Sequence, residues 1–147
     1  MKLLRPTLLA LAVSIPMATA IQAHQDATNP VVIERMKTME AIGGAMKTLA
    51  GMAKGEMAFD AAKADAAVAT IAENGMMVPE KFMANETDPA TEALPAIWEN
   101  WDDFVKKSED MVMAAKSVGP ITDEASLGAA LGQIGGTCKA CHRDYRK

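Results

Sequence analysis

The sequence predicts an all-α fold, an antiparallel four-helix bundle, on three observations. Apolar residues recur at alternating steps of four and three through separate stretches of the chain, which places them on one face of a 3.6-residue helix. Residues that cap and stop helices bracket those stretches. Alanine, methionine and lysine are plentiful while aromatic residues make up only 4%, a helix-biased composition. Four such helices with mainly short connections pack antiparallel around one core.

The first 23 of the 147 residues read as an export signal and not as part of the bundle. Lys2 and Arg5 form a basic start, residues 8–15 are apolar, Pro16 breaks the run, and Ala18-Thr19-Ala20 offers a small-x-small cleavage site. Cleavage after Ala20 and cleavage after Ala23 both satisfy the pattern. The apolar run is far short of the ~20 residues that cross a bilayer. An exported protein with one domain over residues 24–147 and no membrane span is the expectation.

The domain opens with a polar arm at residues 24–28, and Asn29-Pro30 then supplies an N-cap and a proline at the first helical position. Val32, Met36, Met39, Gly43, Met46, Ala50 and Ala53 form the stripe of a first helix, which Gly55 ends. A second helix starts at Asp60, buries Ala64, Ala67, Val68 and Ile71, and stops at Asn74-Gly75. Residues 76–94 contain Pro79 and Pro89 and read as a long crossover with one helical turn near 79–83. Pro95 opens a third helix with the stripe Ile97, Trp101, Phe104, Ser108, Met111, Ala115 and Val118, stopped by Gly119-Pro120. Thr122 caps a fourth, with Asp123 and Glu124 facing the positive end of its dipole. The fourth stripe runs Leu127, Leu131, Ile134, Cys138, Cys141 and Tyr145. Gly132, Gly135 and Gly136 are poor helix formers, at about 1 kcal/mol each relative to Ala. Their missing side chains would let a flat group approach the backbone just before the cysteines.

That group is named by the pentapeptide Cys138-Lys139-Ala140-Cys141-His142. Two thiols three positions apart with an imidazole directly after the second form a c-type haem attachment motif. On a helix, both sulfurs share a face and can bond to carbons along one edge of a porphyrin, while the next-door histidine reaches the iron. Other chemistries fit less well. A thioredoxin-like Cys-x-x-Cys wants a βαβ context that is not visible, a disulfide across one helical turn would constrain little, and a zinc site wants about four ligands. The only other histidine, His24, lies on the N-terminal arm. Losing the signal removes two bases and no acids, so the net charge moves from −4 to −6. An acidic surface argues against nucleic acid or an anionic membrane as partner, and it suits a basic docking partner or plain solubility.

Haem attachment on the last helix, not near the start of the domain, brings a family into view. The chain resembles the class II cytochromes c, that is, cytochrome c′ and its low-spin, methionine-ligated relatives. The likeness is strongest over Gly135-Gly136-Thr137-Cys138-Lys139-Ala140-Cys141-His142-Arg143-Asp144-Tyr145-Arg146. It is also clear at Ile97-Trp98-Glu99-Asn100, at Ala53-Lys54-Gly55-Glu56, and in the first helix at Arg35, Met39, Gly43-Gly44 and Met46. The resemblance implies one covalent haem c per chain, held in the core through Cys138 and Cys141, with His142 as proximal iron ligand. It places Arg35 near a haem propionate, a pairing that a permanently charged guanidinium suits; from the residues alone, Arg35 reads as a solvated surface side chain. The family position four residues further on faces the other side of the iron; a methionine there supplies the sixth ligand in low-spin members, and this chain has Met39. From spacing alone Met39 is one of ten methionines left after signal removal, most of them core filler.

The function implied is a one-electron carrier in the periplasm of a Gram-negative bacterium, cycling Fe2+ and Fe3+ and serving a redox partner protein. The alternative is a five-coordinate cytochrome c′ that binds NO or CO and protects against nitrosative stress. No catalytic residue is assigned, and the resemblance suggests no enzyme. Relatives often pair through their first two helices, so a homodimer is compatible with the sequence.

Overall fold

A computed structural model describes residues 27–147. The predicted signal segment and His24 lie outside the described residues. Five helices follow in order: α1 Pro30–Ala53, α2 Ala61–Phe82, the single turn α3 Ala96–Glu99, α4 Trp101–Lys116 and α5 Glu124–Tyr145. The four long ones form the bundle. Here α1 packs on α2, α2 on α4 and α4 on α5, while α1 meets α5 more sparsely. No helix of the described residues is long and apolar enough to cross a membrane.

The ends of α1 form as its residues dictate. Asn29 is extended and its side-chain oxygen accepts from the Val31 and Val32 amides at 2.9 and 3.4 Å. Gly55 closes the helix at φ 71°, a left-handed conformation that a side chain would resist. Asp60 caps α2 by accepting from the Lys63 amide at 2.9 Å. The core is aliphatic: Leu49, Ile71, Ile97, Ile121, Leu127 and Ile134 are each sealed from solvent, at about 1.5–3 kcal/mol apiece.

Three boundaries differ from expectation. The second helix does not stop at Asn74-Gly75 but runs to Phe82, carrying Pro79 in its final turns. Gly75 is buried against α4, where a Cβ would lie 2.8 Å from Val112 Cγ2 and 2.9 Å from Met111 Cε. It serves helix contact, not helix termination, and the crossover shrinks to residues 83–95. The third helix breaks at Asn100 (φ −128°, ψ 49°), whose carbonyl then accepts from the Phe104 amide to begin α4. The cap of the last helix is Asp123, not Thr122. Asp123 accepts from the Ser126 amide at 2.8 Å while Ser126 Oγ accepts from the Asp123 amide at 3.1 Å, a reciprocal capping box. Of the three glycines before the cysteines, Gly132 and Gly136 lie on the exposed side of α5, and only Gly135 turns partly inward, toward Met46.

The crossover 83–95 has little regular structure yet is tied down along its length. The Asp88 carboxylate, 8% exposed, accepts from the amides of Thr28, Asn29 and Ala90 at 2.8–2.9 Å. Further on, Ala93 forms an isolated antiparallel bridge with Arg146. Around it the Leu94 amide donates to the Tyr145 carbonyl at 3.0 Å and the Lys147 amide to the Glu92 carbonyl at 2.9 Å. The far end of the ligand-bearing helix is therefore fastened to the crossover.

Candidate functional site

Where α1 and α5 part, a cavity of about 580 Å³ opens, within the ~300–1,000 Å³ of cofactor and small-molecule sites. Arg35 and Met39 line it from α1, and Cys138, Cys141 and His142 line it from α5. All five residues singled out in the sequence thus meet in one space. Phe82, Ile97, Phe104 and Met111 supply apolar wall. A more open groove of about 630 Å³ between the start of α1 and the end of α2 contains none of the five.

The helical period puts Cys138 and Cys141 one turn apart on the inner side of α5. Both are half-buried free thiols, and Cys138 Sγ lies 3.9 Å from Met111 Sδ. Burial raises both thiols, Cys141 to about 11, so at neutral pH they carry their protons. His142 lies at the boundary between the cavity and the outer surface. Desolvation on its inner side, helped by the Arg146 charge, lowers its pKa, which favours the neutral imidazole that can bind a metal.

Arg35 is 2% exposed and is no surface residue. Its Nε donates to the Lys81 carbonyl at 3.1 Å, Nη1 to that of Glu86 at 2.9 Å, and Nη2 to that of Ala84. The guanidinium carbon lies 4.9 Å from the Trp98 ring centroid and 5.4 Å from that of Phe82. Trp98 is held in turn by donating Nε1–H to the Phe82 carbonyl at 2.8 Å. Burial lowers the Arg35 pKa, yet arginine keeps its charge. Three of its five N–H groups are spent on the end of α2 and the start of the crossover. Two are not engaged by these carbonyls. Met39, one turn further along α1, is partly buried against the core.

Several lining residues were not foreseen. Lys107 bridges Asp103 at 2.6 Å and Asp144 at 2.9 Å, its Nζ 5.3 Å from the Tyr145 ring centroid, and Tyr145 donates its hydroxyl to Asp103 at 2.6 Å. The Asp103–Lys107 spacing of four on a helix was a visible pairing signal; the link to Asp144 and Tyr145 needed the fold. Residues 90–93 of the crossover line the cavity as well.

A soft thioether on one wall, an imidazole and two protonated thiols opposite, and a spare guanidinium donor at the edge are a donor set that fits haem iron and its carboxylates. The family described as cytochrome c′ matches residues 30–146.

The chain belongs to the cytochrome c′ family.

It is 42% identical over 118 residues to cytochrome c-556 of Agrobacterium fabrum, covering 78% of this chain and 80% of that one. It is 40% identical over 124 residues to cytochrome c′ of Rhodopseudomonas palustris, covering 82% and 84%. Among solved structures, cytochrome c′ of Rhodopseudomonas palustris superposes with a TM-score of 0.75 at 38% identity, covering 82% of this chain and 98% of that one. Oxidised cytochrome c556 of Rhodopseudomonas palustris gives the same TM-score and coverage at 29% identity. The cofactor of the cytochrome c′ family is haem c, covalently attached, one per chain. The protein is thus a c-type haem cytochrome on a four-helix bundle.

Proposed function

We propose that the protein is a one-electron carrier of the periplasm, exported by residues 1–23, with its haem attached through Cys138 and Cys141 and its iron held between His142 and Met39. The observation that carries this reading is the convergence of all four residues, with Arg35, on one cavity. The haem iron supplies the chemistry when bound, the exchange of one electron between its ferrous and ferric forms. Cys138 and Cys141 would hold the haem through thioether bonds to its two vinyl groups, a linkage in which each thiol's hydrogen would pass to the neighbouring vinyl carbon and no oxidant would be needed. Neutral His142 offers its ring nitrogen from α5, and Met39 offers a soft sulfur from α1 that favours the ferrous form. Arg35, held against Trp98 and Phe82, turns its two free N–H groups toward a propionate. Apolar walls exclude water and keep reorganisation small.

The competing reading, a five-coordinate protein that captures NO or CO, requires Met39 to be filler. Absorption spectra of the loaded protein in both oxidation states, with and without CO, decide between them. The expected result is six-coordinate low-spin haem that ignores CO, and Met39→Leu should turn it high-spin and CO-reactive. An identical spectrum for parent and variant would overturn the ligand assignment.

A further inference from the structure

The last two turns of α5 present two faces of different character. Cys138, Cys141 and Tyr145 line the cavity. Lys139, His142 and Arg143, at i, i+3 and i+4, lie together on the neighbouring surface and are exposed. Arg146 continues this surface at the helix end, its amide donating to the His142 carbonyl at 3.1 Å, and Lys147 follows. Residues 138–147 hold four Lys and Arg against one Asp, a charge of +3, which leaves −7 on the other 137 residues of a −4 chain. The nearby acids do not erase the patch. Glu92, paired with Arg146, lowers the local sum from +3 to +2, and Asp144, already counted, is shared between Arg143 at 3.0 Å and Lys107 at 2.9 Å. Lys139 has no carboxylate within ion-pair distance among the described residues.

We infer that this basic surface around His142 docks an acidic patch on a redox partner protein, so that the electron crosses beside the proposed iron ligand; this rests on the one-electron-carrier reading above. A basic end on an acidic body orients the approach as well as attracting it. An acidic partner is repelled by most of the molecule and drawn to the one face where iron is near. The net charge alone suited a basic partner or plain solubility; the local arrangement favours an acidic partner.

Small redox couples of opposite charge read the local field directly. The reduced, haem-loaded protein is oxidised by anionic hexacyanoferrate(III) and, separately, by cationic tris(phenanthroline)cobalt(III). Ionic strength is raised from about 0.01 to 0.1 M, which shortens the screening length from about 30 to 10 Å. The local patch makes the hexacyanoferrate rate fall several-fold and the cobalt rate rise. Hexaglutamate peptide should slow the hexacyanoferrate reaction at low salt. Lys139→Glu with Arg143→Glu should invert both salt dependences and abolish the peptide effect while the spectrum stays that of the parent. If that variant fails to take up haem, Arg143→Glu with Lys147→Glu, both outside the pentapeptide, gives the same readout. A hexacyanoferrate rate that climbs with salt while the spectrum is six-coordinate and low-spin would refute the docking surface and leave the carrier reading standing. A high-spin spectrum with sluggish exchange toward both reagents would bring down both.

Discussion

Arg35→Met is expected to lower the stability of the haem-loaded protein by about 4 kcal/mol. The guanidinium donates to three backbone carbonyls, and hydrogen bonds from a charged donor contribute about 1.5–3 kcal/mol each. Ala84 and Glu86 are exposed, so water can replace the arginine at their carbonyls; Lys81, half-buried at the end of α2, has less access to it. Leaving that one carbonyl short of a partner costs about 1–3 kcal/mol. Loss of the contacts with Trp98 and Phe82 adds about 1–2 kcal/mol, while methionine keeps much of the apolar packing. At a urea dependence of about 2 kcal/mol per molar, the midpoint should fall by about 2 M. Urea titrations of parent and variant followed by far-UV circular dichroism measure it. Arg35→Lys, which keeps the charge but not the planar fork, should recover less than half of the loss. A midpoint shift under about 0.5 M for Arg35→Met, or full recovery by lysine, would show that the carbonyl cage does not hold the end of α2.

Gly75→Ala should lower the melting temperature by a few degrees: overpacking against Val112 and Met111 costs about 1–3 kcal/mol and outweighs the ~1 kcal/mol gained in helix propensity. Gly128→Ala, also helical but facing open space, should raise it, and calorimetry in which both variants gain would contradict the close approach of α2 and α4. Asp88 is held down to about 2 from an ordinary 3.8, first by the Asn29 amide and then by those of Ala90 and Thr28. Its folded pKa is depressed, so its contribution is complete above the unfolded value and disappears as pH falls through about 2. The melting-temperature gap between parent and Asp88→Asn should therefore be flat from neutral pH down to about 5 and close between about 4 and 2; a gap that persists at the acid end would exclude the carboxylate as its source.

What the sequence made legible was local. Asn29-Pro30 and Asp60 start helices through contacts two or three residues away, and the four-three stripes need no knowledge of neighbours. The pentapeptide is legible for the same reason. Asn74-Gly75 misled because the local reading, a stop, competes with a distant one: Val112 and Met111 demand a residue without a side chain there. Arg35 could be placed near the site only by family likeness, since its partners lie 46 to 51 residues away in the chain. Total charge was likewise silent about where the bases cluster, because the basic end of α5 is diluted by an acidic remainder.

Surface connections ordinarily absorb added or deleted residues with little harm. The segment from Met83 to Pro95 should not. It is measured out between fixed points: carbonyls at Ala84 and Glu86 set on Arg35, a carboxylate at Asp88 set on the start of α1, and backbone at 92–94 zipped to 145–147. One extra residue between any two of these would pull the next out of register, and the last in the series adjoins His142. Among the described residues, the longest stretch without a helix is the one whose length is least free to drift, and permissive insertion points belong instead to the turn at 54–59, with its left-handed Gly55.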